Sequence, residues 1–160
     1  MTNEATIQNL IENLQDTNPW IRSHAAEELG HIGASSAVPS LINALRDEDT
    51  EVRSNAARAL GDTGRSEAIA ALTTGLEDAH STVRVWVTYA LGKLGAVHPL
   101  TEALKDSDWC VRAHALNALG ALGTSAQIAI PALKIALNDP NQHVRNNARK
   151  ALEELKNHEN

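Results

Sequence analysis

The sequence predicts an all-α protein, an α-solenoid (right-handed superhelix) of about ten helices arranged as five helix pairs. One skeleton, Leu-x-Asp with an Arg six residues after the Asp and a Leu seven residues after the Arg, occurs five times in the 160 residues. Successive arginines of this skeleton are 31, 31, 28 and 33 residues apart. A nearly fixed period in this range indicates stacked supersecondary units. Apolar residues at helical spacing on both sides of each polar turn indicate that each unit is a pair of helices.

The predicted units form a single domain and span approximately residues 4–33, 37–64, 67–95, 96–123 and 127–160. The first half of each unit, the A helix, carries Leu-x-x-x-Leu, as at Leu41 and Leu45. The second half, the B helix, follows a residue suited to an N-cap, which accepts hydrogen bonds from the first backbone N–H groups. These residues are Asn18, Asp49, Asp108 and Asn141, whereas the third unit offers His80 or its neighbour Ser81.

Two glycines follow the leucine that recurs in each of the first four B helices. The first, at 30, 61, 92 and 120, is expected to allow close helix approach or to end the helix. The second, at 33, 64, 95 and 123, is expected to adopt the positive φ of a helix C-terminus. In the last unit Glu153 and Lys156 stand at these positions, which predicts a polar terminal cap.

Composition excludes several classes of function. The net charge of −6 provides no basic field for a phosphate backbone, so we expect no nucleic-acid partner. No run approaches the roughly 20 apolar residues of a membrane span, and the single cysteine, Cys110, cannot form an internal disulfide. These features predict a soluble, cytoplasmic protein without a membrane partner. Because the outer helices are polar, we also expect a monomer.

The segment Val-Arg-Ser-Asn-Ala-Ala-Arg-Ala-Leu-Gly at residues 52–61 resembles the HEAT-repeat family. More narrowly, it is similar to the short HEAT-like repeat of phycocyanobilin lyase subunits of the E/F type and of phycobilisome-degradation proteins, a repeat also used for artificial binders. The resemblance covers all five units. It implies that B helices line a concave face and that the repeating Asp and Arg side chains bridge neighbouring units as a ladder. The ladder residues are Asp16, Arg22, Asp47, Arg53, Asp78, Arg84, Asp106, Arg112, Asp139 and Arg145.

Binding is predicted at B-helix positions that vary between units, because residues shared by every unit are needed for stacking. In the pattern used for artificial binders these are the first, second, fifth and ninth residues after the Arg. Trp86 and Tyr89, three residues apart on one helix, form the centre, and large rigid side chains dominate interface energies. The alternative is that Trp86 fills a local gap. The full predicted contact set is Trp86, Tyr89, Lys93, Val85, Asn55, Arg58, His24, His114, Asn117, Trp20 and Trp109.

Trp20 and Trp109 open their B helices and are expected either to pack over a neighbouring turn or to form a contact on the groove rim. His24, Glu27 and His31 share a helix face, but the two histidines lie about 10 Å apart along the axis, so we expect no metal site. The His-Glu pairs that di-iron HEAT-like hydroxylases carry after the repeat Arg are missing. Cys110 is expected to be a small packing residue.

We therefore predict a non-catalytic scaffold that binds a protein partner on its concave face and needs no cofactor. The rival hypothesis, which the narrower resemblance implies, is a phycobilin lyase, transferase or detaching factor that acts on phycobiliproteins. Phycocyanobilin or a related bilin would then lie against Trp86 and Tyr89, and His24, His114 or Arg58 would meet its propionates. An artificial repeat protein is disfavoured because the linkers between units differ in length.

Overall fold

The computed structural model describes residues 4–157, which form ten α-helices and no β-strand. Each predicted unit contains one pair of helices, and the end of the fifth unit, residues 158–160, lies outside the described residues. The A helices are α1 (Glu4–Asn13), α3 (Val38–Ala44), α5 (Ile69–Gly75), α7 (Val97–Ala103) and α9 (Ile130–Ala136). The B helices are α2 (Pro19–Ile32), α4 (Thr50–Thr63), α6 (Ser81–Lys93), α8 (Trp109–Ala121) and α10 (Gln142–Asn157). Short 3₁₀ segments at Ser35–Ala37, Ser66–Ala68 and Gly123–Ala129 lead into three of the A helices.

Side-chain caps fix where four B helices begin. The side chains of Asn18, Asp49, Asp108 and Asn141 each accept a hydrogen bond from the backbone N–H two residues later, at 2.8–3.0 Å. The third unit differs, because His80 occupies the cap position without a side-chain hydrogen bond to the helix. The alternative prediction, that Ser81 is the cap, is wrong, since Ser81 is already the first residue of α6.

The B helices form the tightly spaced layer of the stack. A methyl group placed on Gly30 would lie 2.8 Å from Cα of Ala59, a distance that real side chains do not reach, so only glycine permits this approach. The equivalent contacts join Gly61 to Ala90, Gly92 to Ala118 and Gly120 to Ala151. Consecutive A helices touch each other much less. We call the face of the B-helix layer that points away from the A helices the concave face, as the family resemblance implies, and the close spacing of the B helices agrees with this assignment.

The core between the two layers is aliphatic. The repeat leucines Leu29, Leu60, Leu91 and Leu119 of the B helices are fully buried, as are Leu41, Leu72, Leu100 and Leu133 of the A helices. Burying a leucine contributes roughly 1.5–3 kcal/mol to the free energy of folding, so the recurring leucines supply a large part of the stability of each unit. The second glycines have φ values of +66°, +67°, +69° and +54° at 33, 64, 95 and 123, as predicted. None of the described helices combines the length and the hydropathy that crossing a membrane requires.

Candidate functional site

The turns between the A and B helices carry a ladder of ion pairs that joins neighbouring units. Arg22 Nε and Nη2 donate to the two carboxylate oxygens of Asp47 at 2.7 and 2.8 Å, a bidentate arrangement. Arg53 pairs in the same way with Asp78, Arg84 with Asp106, and Arg112 with Asp139. The side chains of these four pairs are only 9–12% exposed. The bridging that the resemblance implies is therefore present, from the Arg of one unit to the Asp of the next.

The two ends of the ladder differ from its middle. The Asp16 carboxylate accepts the backbone N–H of Asn18 at 2.8 Å, and no arginine of the described residues pairs with it. At the other end, Arg145 donates to the backbone oxygens of Asp139 and Pro140 and to the side chain of Gln142, without a carboxylate partner in the described range. The ten ladder residues therefore form four bridges between the five units, and Asp16 and Arg145 are left at the two ends.

Each of the four bridging carboxylates accepts hydrogen bonds from an arginine and from a backbone N–H group of its own turn. Asp78, for example, accepts from Arg53 and also from the backbone N–H of His80 at 2.9 Å. Burial has the largest single influence on the pKa of Asp47 and of Asp78 and acts to raise it. The hydrogen bonds from Arg22 and Arg53, the backbone N–H hydrogen bonds and the charges of the nearby arginines together outweigh burial, so both pKa values are lowered. A carboxylate held ionised in this way is a poor proton donor near neutral pH. The geometry of the ladder fits a structural role.

The concave face of the first three units carries a connected set of side chains, which we call the central cluster: Glu27, Arg58, Asp62, Trp86 and Tyr89. Arg58 Nη2 donates to Glu27 at 2.8 Å, and its guanidinium carbon lies 5.6 Å from the centre of the Trp86 ring. The rings of Trp86 and Tyr89 meet edge to face at 5.6 Å, and Tyr89 Oη donates to Asp62 at 3.0 Å. Trp86 and Tyr89 are half-buried, so the cluster is both held in place and open to a ligand.

One junction on this face holds a buried hydroxyl without a hydrogen-bond partner among the described residues. In the preceding junction, Asn55 Nδ2 donates to Ser23 Oγ at 2.8 Å. Ser54 and Trp86 stand at the same two positions one unit later, and there the buried Ser54 Oγ has no hydrogen-bond partner within residues 4–157. The indole N–H of Trp86 likewise donates to none of the described residues. Trp86 thus stands where the preceding unit has the asparagine that satisfies a serine hydroxyl, and it also packs against the core.

The remaining predicted contacts lie on both sides of the central cluster. Lys93, His114 and Asn117 are exposed, and Val85 is half-buried. His114 Nδ1 lies 2.8 Å from the backbone oxygen of Cys110; because a carbonyl oxygen only accepts, Nδ1 carries the proton of this hydrogen bond. His24 is exposed beside Glu27, with 3.9 Å between His24 Nδ1 and the carboxylate.

The two tryptophans at the helix openings have different environments. Trp20 is 68% exposed and stacks on His24 of its own helix with 5.5 Å between the ring centres. Trp109 is 42% exposed and stacks on His143 of the next unit at 5.3 Å. Trp109 thus packs over its neighbour, whereas Trp20 remains an open aromatic surface beside the central cluster.

The described side chains support neither a metal site nor a reactive cysteine. Among residues 4–157 no group of three His, Cys, Asp or Glu side chains could hold a metal ion. Burial and the neighbouring Asp108 raise the pKa of the Cys110 thiol, which disfavours the thiolate that a nucleophile or a covalent pigment anchor requires.

Ten helices in two layers, joined by a ladder of ion pairs, define an α-solenoid repeat protein. A model of HEAT repeats matches residues 7–92 and 76–153. Since these matches span most of the sequence, the chain belongs to the HEAT-repeat family. No curated protein matches it.

Solved structures show similar architecture. A chain of the complex of CpcE and CpcF of phycocyanin lyase from Nostoc sp. PCC7120 is 30% identical over 98% of this chain and 67% of that chain, with a TM-score of 0.80. Human deoxyhypusine hydroxylase is 25% identical over 97% of this chain and 75% of that chain, with a TM-score of 0.56. A designed armadillo repeat protein in complex with a (KR)4 peptide, 22% identical over 94% of this chain and 82% of that chain at a TM-score of 0.69, shares the fold.

Proposed function

We propose that this protein is a non-catalytic scaffold that binds a segment of a protein partner along the concave face of its B helices. The observation that carries the proposal is the central cluster, in which Trp86 and Tyr89 are held by Arg58, Asp62 and the core while remaining half exposed. Rigid aromatic side chains lose little conformational entropy on binding and dominate interface energies. With helices about 8–10 Å apart, five units provide a groove of roughly 40–50 Å, enough for a helix or an extended segment.

The chemistry of both ends favours a different chain as the partner rather than a second copy stacked end to end. Close contact between B helices uses a glycine on one helix and an alanine on the next, as between Gly61 and Ala90. At the open faces, Glu28 of α2 occupies the alanine position and Glu153 of α10 the glycine position. A second copy would bury both carboxylates, which costs several kcal/mol per unpaired ion. We therefore expect that copies of this chain do not stack end to end.

Affinity purification from an extract of the source organism tests this proposal. Wild-type protein, the double variant Trp86→Ala/Tyr89→Ala and the control Ile135→Ala serve as baits; Ile135 is exposed on the A helix α9. We expect at least one protein to be recovered by wild type and control and reduced more than tenfold with the double variant, because loss of a hot-spot pair costs ~2 kcal/mol or more. Circular dichroism checks that all three baits are folded. Equal recovery of every partner by the double variant contradicts the proposal.

The second candidate is a lyase, transferase or detaching factor that acts on phycobiliproteins. The 30% identity to a chain of the CpcE and CpcF complex favours it. The residues fit a bilin in part, since Trp86 and Tyr89 offer ring surfaces and Arg58, His24 and His114 offer groups for its propionates. A covalent bond to this chain does not fit, because Cys110 is half-buried with a raised pKa.

Absorbance spectroscopy separates the two candidates. Phycocyanobilin is mixed with the purified protein, alone and together with an apo-phycobiliprotein. The lyase hypothesis predicts a shifted and intensified visible band that Trp86→Ala weakens and Ile135→Ala does not. An unchanged spectrum in both mixtures would leave the scaffold as the surviving proposal.

A further inference from the structure

Each close contact between consecutive B helices is flanked on the concave face by a pair of side chains. At the contact of Gly61 with Ala90, the adjacent residues Asp62 and Tyr89 are joined by a hydrogen bond of 3.0 Å. At the contact of Gly92 with Ala118, the equivalent residues are Lys93 and Asn117. The same relation pairs His31 with Arg58 and Ala121 with Lys150 in the first and fourth junctions. The repeat therefore places Lys93 and Asn117 side by side.

Only one of these junctions carries a cation without a carboxylate. Arg58 Nη2 forms an ion pair with Glu27 Oε1 at 2.8 Å, and Lys150 Nζ forms one with Glu154 Oε1 at 3.6 Å. Lys93 and Asn117 are both exposed and make no ion pair or side-chain hydrogen bond with any residue of 4–157. The acidic side chains on either side are engaged, Asp62 by Tyr89 and Glu154 by Lys150. The third junction thus presents an unbalanced positive charge on an acidic protein.

We infer that the bound segment of the partner places a carboxylate on Lys93 and Asn117 and an apolar or aromatic side chain on Trp86. This inference rests on the proposed function and specifies its ligand. The Lys93 ammonium supplies the charge, and the Asn117 amide supplies two further N–H donors for the same carboxylate. The half-buried indole receives the apolar side chain beside the charge.

The spacing of the two contacts predicts the sequence of the ligand. Trp86 and Lys93 lie seven residues apart on α6, two turns on one face and about 10 Å along the helix axis. An extended chain covers that distance in about three residues, and a helix in about seven. The expected motif therefore has an acidic residue three positions from an apolar one in an extended ligand, or seven positions away in a helical ligand.

Selection from a random library of displayed 16-residue peptides tests both the motif and the face. Full-length wild-type protein is the target, and single selected peptides are then measured against variants. We expect selected peptides to be enriched in Asp and Glu at the predicted spacing from Trp, Phe, Leu or Ile. Lys93→Glu is expected to weaken their binding about tenfold and Asn117→Ala about threefold, since exposed charged contacts each contribute modestly. Lys134→Glu on α9, the control for a reversed exposed charge, is expected to leave affinity unchanged.

A second selection on the Lys93→Glu variant adds a positive readout, because this variant is expected to prefer Lys and Arg at the same position. Peptides that lose binding with Trp86→Ala but show no acidic enrichment and no response to Lys93→Glu would overturn this inference and leave the proposed function intact. Peptides that bind Trp86→Ala/Tyr89→Ala as tightly as wild type, or a library that yields no binder, would count against the proposed function itself.

Discussion

The B-helix layer is regular along the turns and irregular on its concave face. Along the turns, Arg22, Arg53, Arg84 and Arg112 each bridge to the next unit with the same two hydrogen bonds, and the shorter one is 2.7 Å in all four. On the concave face every junction is different: an ion pair in the first, a tyrosine hydrogen bond in the second, an unpaired lysine in the third and an alanine in the fourth.

Under the proposed function, this contrast reflects the different demands that stability and recognition make on a repeat protein. A bridge that recurs at each junction can be identical because each junction has the same backbone geometry and the same task. A recognition surface has to be unique along its length, since a periodic surface would bind its ligand in several positions. Single substitutions on the ladder and on the concave face test this difference separately.

The largest effect is expected from removing an interior rung of the ladder. Arg84→Ala leaves the Asp106 carboxylate largely buried without its bidentate partner, and loss of one member of such a pair costs ~3–5 kcal/mol. The free energy of unfolding from urea titration should fall by this amount. The same substitution should leave peptide binding on the concave face intact in the fraction that remains folded.

Arg145→Ala is the matched control. Arg145 donates to backbone oxygens of its own turn, like Arg84, but pairs with no carboxylate among residues 4–157. We expect a loss of about 1 kcal/mol, the contribution of ordinary hydrogen bonds. Equal losses for the two variants would mean that the bridge to the next unit contributes nothing and that the backbone contacts hold the ladder.

Low pH is expected to weaken the same ion pairs, with a smaller effect than the removal of an arginine. The hydrogen bond from Arg112 lowers the pKa of Asp139, and the pKa values of Asp47 and Asp78 are also lowered in the folded protein. Because the unfolded chain has ordinary carboxyl pKa values near 3.9, it binds more protons than the folded chain in this range. The contribution is complete above about pH 5 and is lost as the pH falls through the folded pKa values.

The stability of wild type measured from pH 6 to 2.5 should therefore decline below about pH 4. Arg112→Ala should be less stable at pH 6 and should show a shallower decline, because Asp139 then titrates more like an unfolded carboxyl group. Parallel curves for the two proteins would show that the Arg112 bridge does not cause the acid dependence.

The sequence predicted the helix pairs well because helix caps, buried leucines and glycines act within a unit or recur at one period. The carboxylate partner of each of the four bridging arginines lies 22 to 27 residues away in the sequence. Spacing within one unit could not predict these bridges, whereas the family resemblance implied them. Pairs such as Arg58 with Glu27 were not predicted. Periodicity places side chains on a face, but the diagonal contacts between units depend on how far each helix is displaced along its neighbour.

The smallest effect, and the finest test of the concave face, compares two serines at the same position of successive units. Ser23 accepts the hydrogen bond of Asn55, whereas the buried Ser54 Oγ, at the junction that has Trp86 in place of the asparagine, has no partner among the described residues. Alanine raises intrinsic helix propensity by the same few tenths of a kcal/mol at both sites, so the difference between the variants isolates the hydroxyl. Ser23→Ala should lower the free energy of unfolding by ~1 kcal/mol, because the amide of Asn55 loses its close acceptor.

Ser54→Ala should leave stability unchanged or raise it by up to ~1 kcal/mol, because it removes a buried polar atom that nothing compensates. Urea midpoints of the two variants at an unchanged m-value measure the difference. If Ser54→Ala destabilises as much as Ser23→Ala, the Ser54 hydroxyl must have a partner, and Trp86 then costs the fold nothing at that junction. If Ser23→Ala destabilises the protein and Ser54→Ala does not, the central junction lacks a hydrogen bond that the preceding junction has. The indole of Trp86 then occupies that position at a cost in stability, as we expect of a residue kept for the proposed recognition.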